Sequence, residues 1–442
     1  MAIRAWTVPV AGPTMGPAST RAAMTLSLLP LALATLLQGA PAEPSSPSQP
    51  NVLLIVSDDQ HWTDFGFMGS ETVATPHLDR IAREGLVFPR GYVAAPLCRP
   101  SLATLATGLH PHQHKITGND PPKGTKREEM LRHIDAATTL PDLLVAAGYQ
   151  AMQTGKWWEG AAARGGFTEG MTHGDPSFGG RHGDRGLTIG RARMWPALEF
   201  IDRAEEAGDP WFLWYAPFLP HTPHNPPQEL LAQYTAEGVP APVAKYRAMC
   251  AWFDQTCGDL LAHLDEKGLT EETLVLLVTD NGWIQRPEGN GYAPRSKRTP
   301  YEGGVRTPIV VRWPGTVTPE RREVPVSSVD VPATILAACG LEVPKAWPGH
   351  DLRLARASGE HARGPVFGAA FTHDVVDLDD PSKNVLSRFV VDGEWKLILH
   401  EEEGARRGEL FRILEDPAEE AAVVDEGVRA RLEGLLDAWW RP

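Results

Sequence analysis

The chain has 442 residues, 42% of them hydrophobic, and a formal charge of -14. That length supports a large core with room for a second small domain, and the acidic balance argues against a nucleic-acid partner. An acidic protein that takes an anionic ligand must keep its positive charge local, inside the site.

The first segment reads as a secretory leader over residues 1–42. Arg21 precedes an apolar run from Met24 to Leu37, and Ala40-Pro41-Ala42 offers a small-x-small cleavage site. The run is short for a membrane span and contains Pro30, so no stable span is expected. Removing residues 1–42, with two arginines and no acid, takes the charge from -14 to -16. A Pro/Ser-rich linker fills 43–50. Beyond it, aliphatic runs ending in polar clusters alternate with helical patterns. Asn51 to Val56 ends at Ser57-Asp58-Asp59-Gln60, and Tyr149 to Thr154 at Gly155-Lys156-Trp157-Trp158. Trp211 to Ala216 leads to Pro220-His221-Thr222-Pro223-His224, Thr273 to Val278 ends at Thr279-Asp280-Asn281-Gly282, and Pro308 to Trp313 is a further strand. Helices are expected at Leu140–Ala147, Ala192–Ala207, Pro242–Lys267 and Val326–Cys339. Such alternation predicts a mainly parallel sheet covered on both faces, with sites beyond the carboxyl ends of its strands. After about Gly349, four short strand candidates and a helix at Gly427–Trp440 predict a small antiparallel sheet with one helix. The expected domains are therefore 51–349 and 350–442.

Three features carry chemistry. Cys98 opens Cys98-Arg99-Pro100-Ser101-Leu102, with Pro100 suited to a first helical turn and Gly108 to its end; a helix N-terminus favours anions. Asp58 and Asp59 at one strand end, with Asp280 and Asn281 at another, are hard oxygen donors that suit Ca²⁺ or Mg²⁺. Cys250 and Cys257 sit seven residues apart on one expected helix, about 10.5 Å of rise, too far to bridge at a limit of roughly 7 Å.

Together these motifs resemble the formylglycine-dependent sulfatase family over nearly the whole mature length. The resemblance rests on the Asp58-Asp59 strand end, the Cys98 segment running to Thr107-Gly108-Leu109-His110-Pro111-His112, Gly155-Lys156-Trp157, Pro220-His221-Thr222-Pro223, Asp280-Asn281, and Lys297 before Tyr301-Glu302-Gly303-Gly304-Val305-Arg306. Val329-Asp330 and Glu415-Asp416-Pro417 also fit. The resemblance implies an alkaline phosphatase-like fold and an exported sulfatase. It would hydrolyse a sulfate ester of a small molecule or, more plausibly, of a glycan. A formylglycine-generating enzyme would oxidise Cys98, whose hydrated aldehyde would be the nucleophile. Asp58, Asp59, Asp280, Asn281 and residue 98 would hold one cation, Ca²⁺ or Mg²⁺. Lys156 and Lys297 would stabilise sulfate charge and His221 would protonate the leaving alcohol. Two positions depart from the pattern: Leu102 replaces an arginine and Trp158 a histidine. Met171-Thr172-His173-Gly174-Asp175 and Gly180-Arg181-His182-Gly183-Asp184-Arg185 are the candidate substitutes, through His173, Arg181 and His182. A phosphoesterase or phosphonate monoester hydrolase, and a catalytically silent binder of sulfated glycans, stay open as alternatives.

Overall fold

Each aliphatic run of the sequence becomes a strand whose two faces are both covered. In the computed structural model, which describes residues 49–174, 180–402 and 405–442, β1 (Asn51–Ser57) is buried throughout. Its side chains alternate between two layers. Val52, Leu54 and Val56 pack with Leu102, Leu105, Leu140, Leu144 and Ile335. Leu53 and Ile55 pack with Leu78, Ile81, Phe200, Met249 and Phe253. A strand buried on both sides has no polar face, so its sequence shows no alternation.

The other strands of this sheet are β2 (Leu86–Tyr92), β3 (Gln150–Gly155), β4 (Glu169–Gly170), β5 (Trp211–Ala216), β6 (Thr273–Thr279), β7 (Arg306–Arg312), β8 (Glu320–Arg321) and β9 (Val326–Ser327). Among the described residues they form nine strands in the order β4-β3-β5-β1-β6-β7-β2-β8, with β9 also on β2. Pairing is parallel except where β7 runs antiparallel to β6 and β2. The sheet is thus mainly parallel, as expected. β2 has no counterpart in the sequence reading, because Pro89 and Gly91 interrupt its apolar run. The structure accommodates them with a register shift between Phe88 and Gly91. The helix expected from Val326 begins at Asp330, because Val326 and Ser327 join the sheet instead.

A second sheet, β10 (Val366–Phe371), β11 (Val385–Asp392), β12 (Trp395–Glu402) and β13 (Ala405–Arg412), is antiparallel throughout. One face packs on Tyr92, Val93 and Val305 of the first sheet's edge. The other receives Leu432 and Leu436 of the helix Glu426–Trp439. Residues 49–442 cluster as one compact unit. The expected leader, and the linker up to residue 48, lie outside the described residues. No described helix is long and apolar enough to cross a membrane. Cys250 and Cys257 are both buried and free, and their spacing excludes a bond between the two.

The final helix also covers two histidines. His110 and His112 are buried against the Trp439 ring, with centroids 5.1 and 4.6 Å away. Burial pushes His110 down to about 3 and His112 to about 4. Both are therefore neutral in the fold. Below the unfolded value of about 6.5 the unfolded chain binds protons that the fold refuses, so stability falls as pH drops from there toward 4. Thermal melts across this range should show that decline, and His112→Gln should flatten it by about one proton's worth. An unchanged slope would show that His112 is not held neutral.

Candidate active site

Register builds the site. Ser57 pairs with Thr279 at the matched ends of β1 and β6, so the next residues, Asp58-Asp59 and Asp280-Asn281, emerge side by side. The Asp280 amide donates to the Ser57 carbonyl at 2.9 Å and the Asp59 amide to Asp280 Oδ1 at 3.0 Å. Asp59 adopts a left-handed φ of 66°, a strain on the order of 1–2 kcal/mol that aspartate tolerates better than most residues. Gly155 pairs with Ala216 at the ends of β3 and β5. With φ 79°, any Cβ there would lie 1.8 Å from the Ala216 oxygen, so only glycine permits the turn that presents Lys156.

The charged groups converge. Lys156 Nζ donates to Asp58 Oδ1 at 2.6 Å and lies 3.5 Å from Asp280 Oδ2. Lys297 Nζ donates to Asp59 Oδ1 at 2.5 Å and reaches Cys98 Sγ at 3.1 Å. Cys98 is the first residue of a helix ending at Thr107, closed by Gly108 with φ 66°. Asn281 Nδ2 donates to Asp59 Oδ1 at 2.6 Å. His221 Nδ1 lies 2.6 Å from the Thr222 carbonyl, so that nitrogen carries the hydrogen. Its Nε2 sits 3.4 Å from Asp59 Oδ2. Ligating atoms of Asp58, Asp59, Cys98 and His221 all lie within 4.8 Å of one another. Asp58 Oδ2, Asp59 Oδ2 and Asn281 Oδ1 are buried with no hydrogen-bond partner. Three orphaned hard oxygens in one pocket are costly alone and fit a cation such as Ca²⁺ or Mg²⁺.

Electrostatics follow from this crowding. Burial raises Asp58 well above the usual carboxylate range, opposed by Lys156 and reinforced by Asp280 and Asp59. Burial also pushes Asp59 up, but Lys297, His221 and Lys156 outweigh it and hold that carboxyl low. Burial acts against both lysine charges, yet Asp58 and Cys98 hold Lys156 up, as Asp59 and Cys98 do Lys297. Burial pushes the Cys98 thiol up to about 12 despite both lysines, and keeps His221 well below its ordinary value.

The two departures from the family pattern have visible consequences. Leu102 is buried in the apolar layer with Leu105 and Ile335. The Trp158 ring gathers cations: Arg181 Cζ at 4.8 Å, Arg127 Cζ at 5.3 Å and Lys156 Nζ at 5.9 Å from its centroid. Arg181 forms a two-pronged pair with Asp120. The His182 ring lies between Trp158 and Phe218, at 5.2 and 5.4 Å, and Phe218 stacks on His221 at 4.3 Å. Burial, then Lys156, Arg181 and Arg127, push His182 down to about 3, and its buried Nδ1 has no hydrogen-bond partner. His182 thus borders the cluster and Arg181 lies one ring further out. His173 is not brought there; it is exposed, and its amide donates to Asp184 Oδ2 at 2.7 Å. Asp175 lies outside the described residues.

Sequence reasoning missed Arg127, Phe218 and a buried clamp behind the site. Gly282, next to Asn281, donates to the Gly304 carbonyl at 2.9 Å. A Cβ on Gly304 would meet the Ser296 and Thr299 oxygens at 2.3 and 2.4 Å, so this turn seats the segment carrying Lys297. The Glu302 carboxylate in the same turn meets Lys396 Nζ at 2.9 Å, and Lys396 reaches Glu419 at 2.9 Å. Glu419 Oε2 accepts the Glu302 amide. No local motif marks Lys396 or Glu419, since their meaning depends on the second sheet's position. Lys396→Met takes the shared cation from two buried carboxylates, leaving Glu302 with Arg306 at 3.5 Å and removing the Lys396 pair of Glu419, and should cost about 3–5 kcal/mol, read by denaturant unfolding. A loss under about 1 kcal/mol, the worth of an exposed pair, would show the clamp to be solvated.

Comparison with known proteins gives a consistent result. The sequence profile described as Sulfatase matches residues 50–341, and that of the N-sulphoglucosamine sulphohydrolase C-terminal region matches residues 292–438. N-acetylgalactosamine-6-sulfatase of Canis lupus familiaris is 31% identical over 365 residues, 73% of this chain and 69% of its own. Arylsulfatase A of Homo sapiens is 29% identical, covering 72% and 70%. The crystal structure of Ps i-CgsB superposes with a TM-score of 0.69 at 24% identity, covering 87% of this chain and 90% of that one; it has also been solved in complex with k-i-k-neocarrahexaose.

Proposed function

The chain belongs to the sulfatase family and is a sulfuric ester hydrolase; from that premise we propose that it removes sulfate from a carbohydrate, using residue 98 as the nucleophile beside one divalent cation. The observation that carries this reading is the trio of orphaned oxygens, Asp58 Oδ2, Asp59 Oδ2 and Asn281 Oδ1, set beside Cys98 and two lysines. Asp58, Asp59, Asp280 and Asn281 would hold Ca²⁺ or Mg²⁺ together with residue 98. The ion would polarise the sulfate and favour an ionised nucleophile. Cys98 itself, its thiol pushed up to about 12, is almost fully protonated at neutral pH and a poor nucleophile. Oxidation by a formylglycine-generating enzyme would replace it with an aldehyde whose hydrate offers a hydroxyl at the same place.

The chain's own groups then divide the work. Lys156 and Lys297, kept charged by their aspartates, face the sulfate oxygens as negative charge builds on them. His221 is oriented by its Nδ1 hydrogen bond, which leaves Nε2 to carry the moving proton. Because burial keeps the ring neutral, Nε2 would first take the proton that the attacking hydroxyl of the hydrate loses, and would then give it to the departing alkoxide. His182 would stand in for the histidine that Trp158 replaces, wedged between Trp158 and Phe218 at the edge of the cluster. Arg181, held by Asp120 over Trp158, would supply positive charge near the substrate, as the arginine lost at Leu102 does in the family pattern. Residues 1–42 would direct export.

These assignments have direct tests. Mass spectrometry of the peptide containing residue 98 should show a form about 18 Da lighter than the thiol. Active enzyme with only unmodified cysteine, and an active Cys98→Ala, would remove the nucleophile assignment. Asp280→Ala should abolish most turnover and weaken Ca²⁺ affinity, whereas full activity after exhaustive chelation would exclude the cation. His182→Ala should lower kcat by about a hundredfold with metal affinity and Tm unchanged, and an unaltered kcat would make that residue packing alone. Matched aryl sulfate and aryl phosphate should be turned over with the sulfate preferred.

A further inference from the structure

A second cleft opens on the same end of the sheet. It encloses about 450 Å³ and is lined by Gly170, Met171, His173, Arg185, Arg193 and Trp195, with Thr188 and Pro196 closing it. None of these residues is a carboxylate, in a chain whose formal charge is -14. Trp195 is 54% exposed. The Arg193 guanidinium lies 5.9 Å from its ring centroid.

The cleft is built rather than accidental. Ile189 is fully buried and bridges Arg193, and the Gly190 amide donates to the Arg193 carbonyl at 3.0 Å. Arg193 and Trp195 therefore project from an ordered turn. The same segment reaches the catalytic cluster. A Cβ on Gly186 would lie 2.3 Å from the carbonyl oxygen of Gly155, the residue before Lys156, and His182 packs on Trp158 and Phe218. One loop thus shows His182 to the cluster and Arg193 to the cleft. A large ring left half in water gains little from packing, but it offers a flat face for a sugar. An adjacent guanidinium recognises sulfate or carboxylate with paired hydrogen bonds. In a protein that repels polyanions overall, a local cationic cleft is where one can settle.

We infer that this cleft is a second sugar subsite, which holds an anionic residue of the glycan further along the chain from the sulfate ester being cleaved. The substrate is then an anionic oligosaccharide rather than a single sulfated sugar. This inference rests on the sulfatase reading for its location but on Trp195, Arg193 and His173 for its chemistry.

The test compares chain lengths. Disaccharide and hexasaccharide of chondroitin 6-sulfate serve as probes, titrated calorimetrically into the full protein, with 4-nitrophenyl sulfate as the small substrate. The hexasaccharide should bind at least about tenfold tighter than the disaccharide, the scale that stacking plus one charged contact supplies. Trp195→Ala and Arg193→Glu should each erase most of that advantage while kcat/KM for the aryl sulfate and the Tm stay unchanged. Both side chains are exposed, so neither change threatens the fold. Equal binding of the two lengths by the unaltered protein, or a length advantage that survives both substitutions, overturns the inference. A failure of the sulfatase reading shows separately, as absence of aryl sulfate turnover, and leaves the binding comparison intact.

Discussion

Three buried carboxylates gathered at the matched ends of β1 and β6 set the terms for everything around them. Asp58, Asp59 and Asp280 would repel strongly in a site shielded from water. Lys156 and Lys297 offset two of those charges at 2.6 and 2.5 Å. One negative charge and three partnerless oxygens remain. In the proposed reading that excess acid would draw a cation, and the lysines would draw an anion beside it. Neither property exists in any single residue. Both arise from one excess carboxylate in a place where water cannot screen it.

That concentration of charge has to be held mechanically. Matched ends of β1 and β6 fix the acids through backbone hydrogen bonds, which do not loosen as side chains rotate. Lys297 comes from a loop, and its position is secured by glycine contacts around Gly282 and Gly304. The second sheet supports that loop from behind through Lys396, Glu302 and Glu419. The C-terminal region therefore contributes to the chemistry without touching it, by pinning the turn on which Lys297 and Asn281 both depend.

The replaced residues at 102 and 158 change the character of one wall of the site. A leucine joins the apolar layer, and a tryptophan collects two arginines, a lysine and a histidine on and around its ring. The result is a stacked group assembled from three segments. The positive charge on this wall is carried by Arg181 and Arg127, both set over the Trp158 ring and paired with Asp120. The loop doing this also reaches the Trp195 cleft, so in the proposed reading catalysis and recognition of a longer chain would be physically linked.

The sequence by itself determined the core strands, the strand-end acids, both lysines, His221 and the helix that begins at Cys98. The strands, acids and helix were legible because each depends on local physics: a doubly buried strand must be aliphatic along its whole length, and a carboxylate at its end has few uses other than a cap or a ligand. The lysines and His221 stood out only through the resemblance to a family, since a lone strand-end lysine or histidine is more often a surface residue. It did not determine β2, whose proline and glycine disguise a strand that only a bulged partner stabilises. It offered both His173 and His182, nine residues apart on one glycine-rich stretch, and favoured His182 for its neighbours Arg181 and Asp184, without showing that one is exposed in a cleft and the other wedged beside the cluster. Tertiary structure decided that, as it decided the meaning of Lys396, Glu419 and Arg127. A charged side chain acquires its role from the charge that packs against it, and such partners can lie 238 residues apart, as Lys297 and Asp59 do.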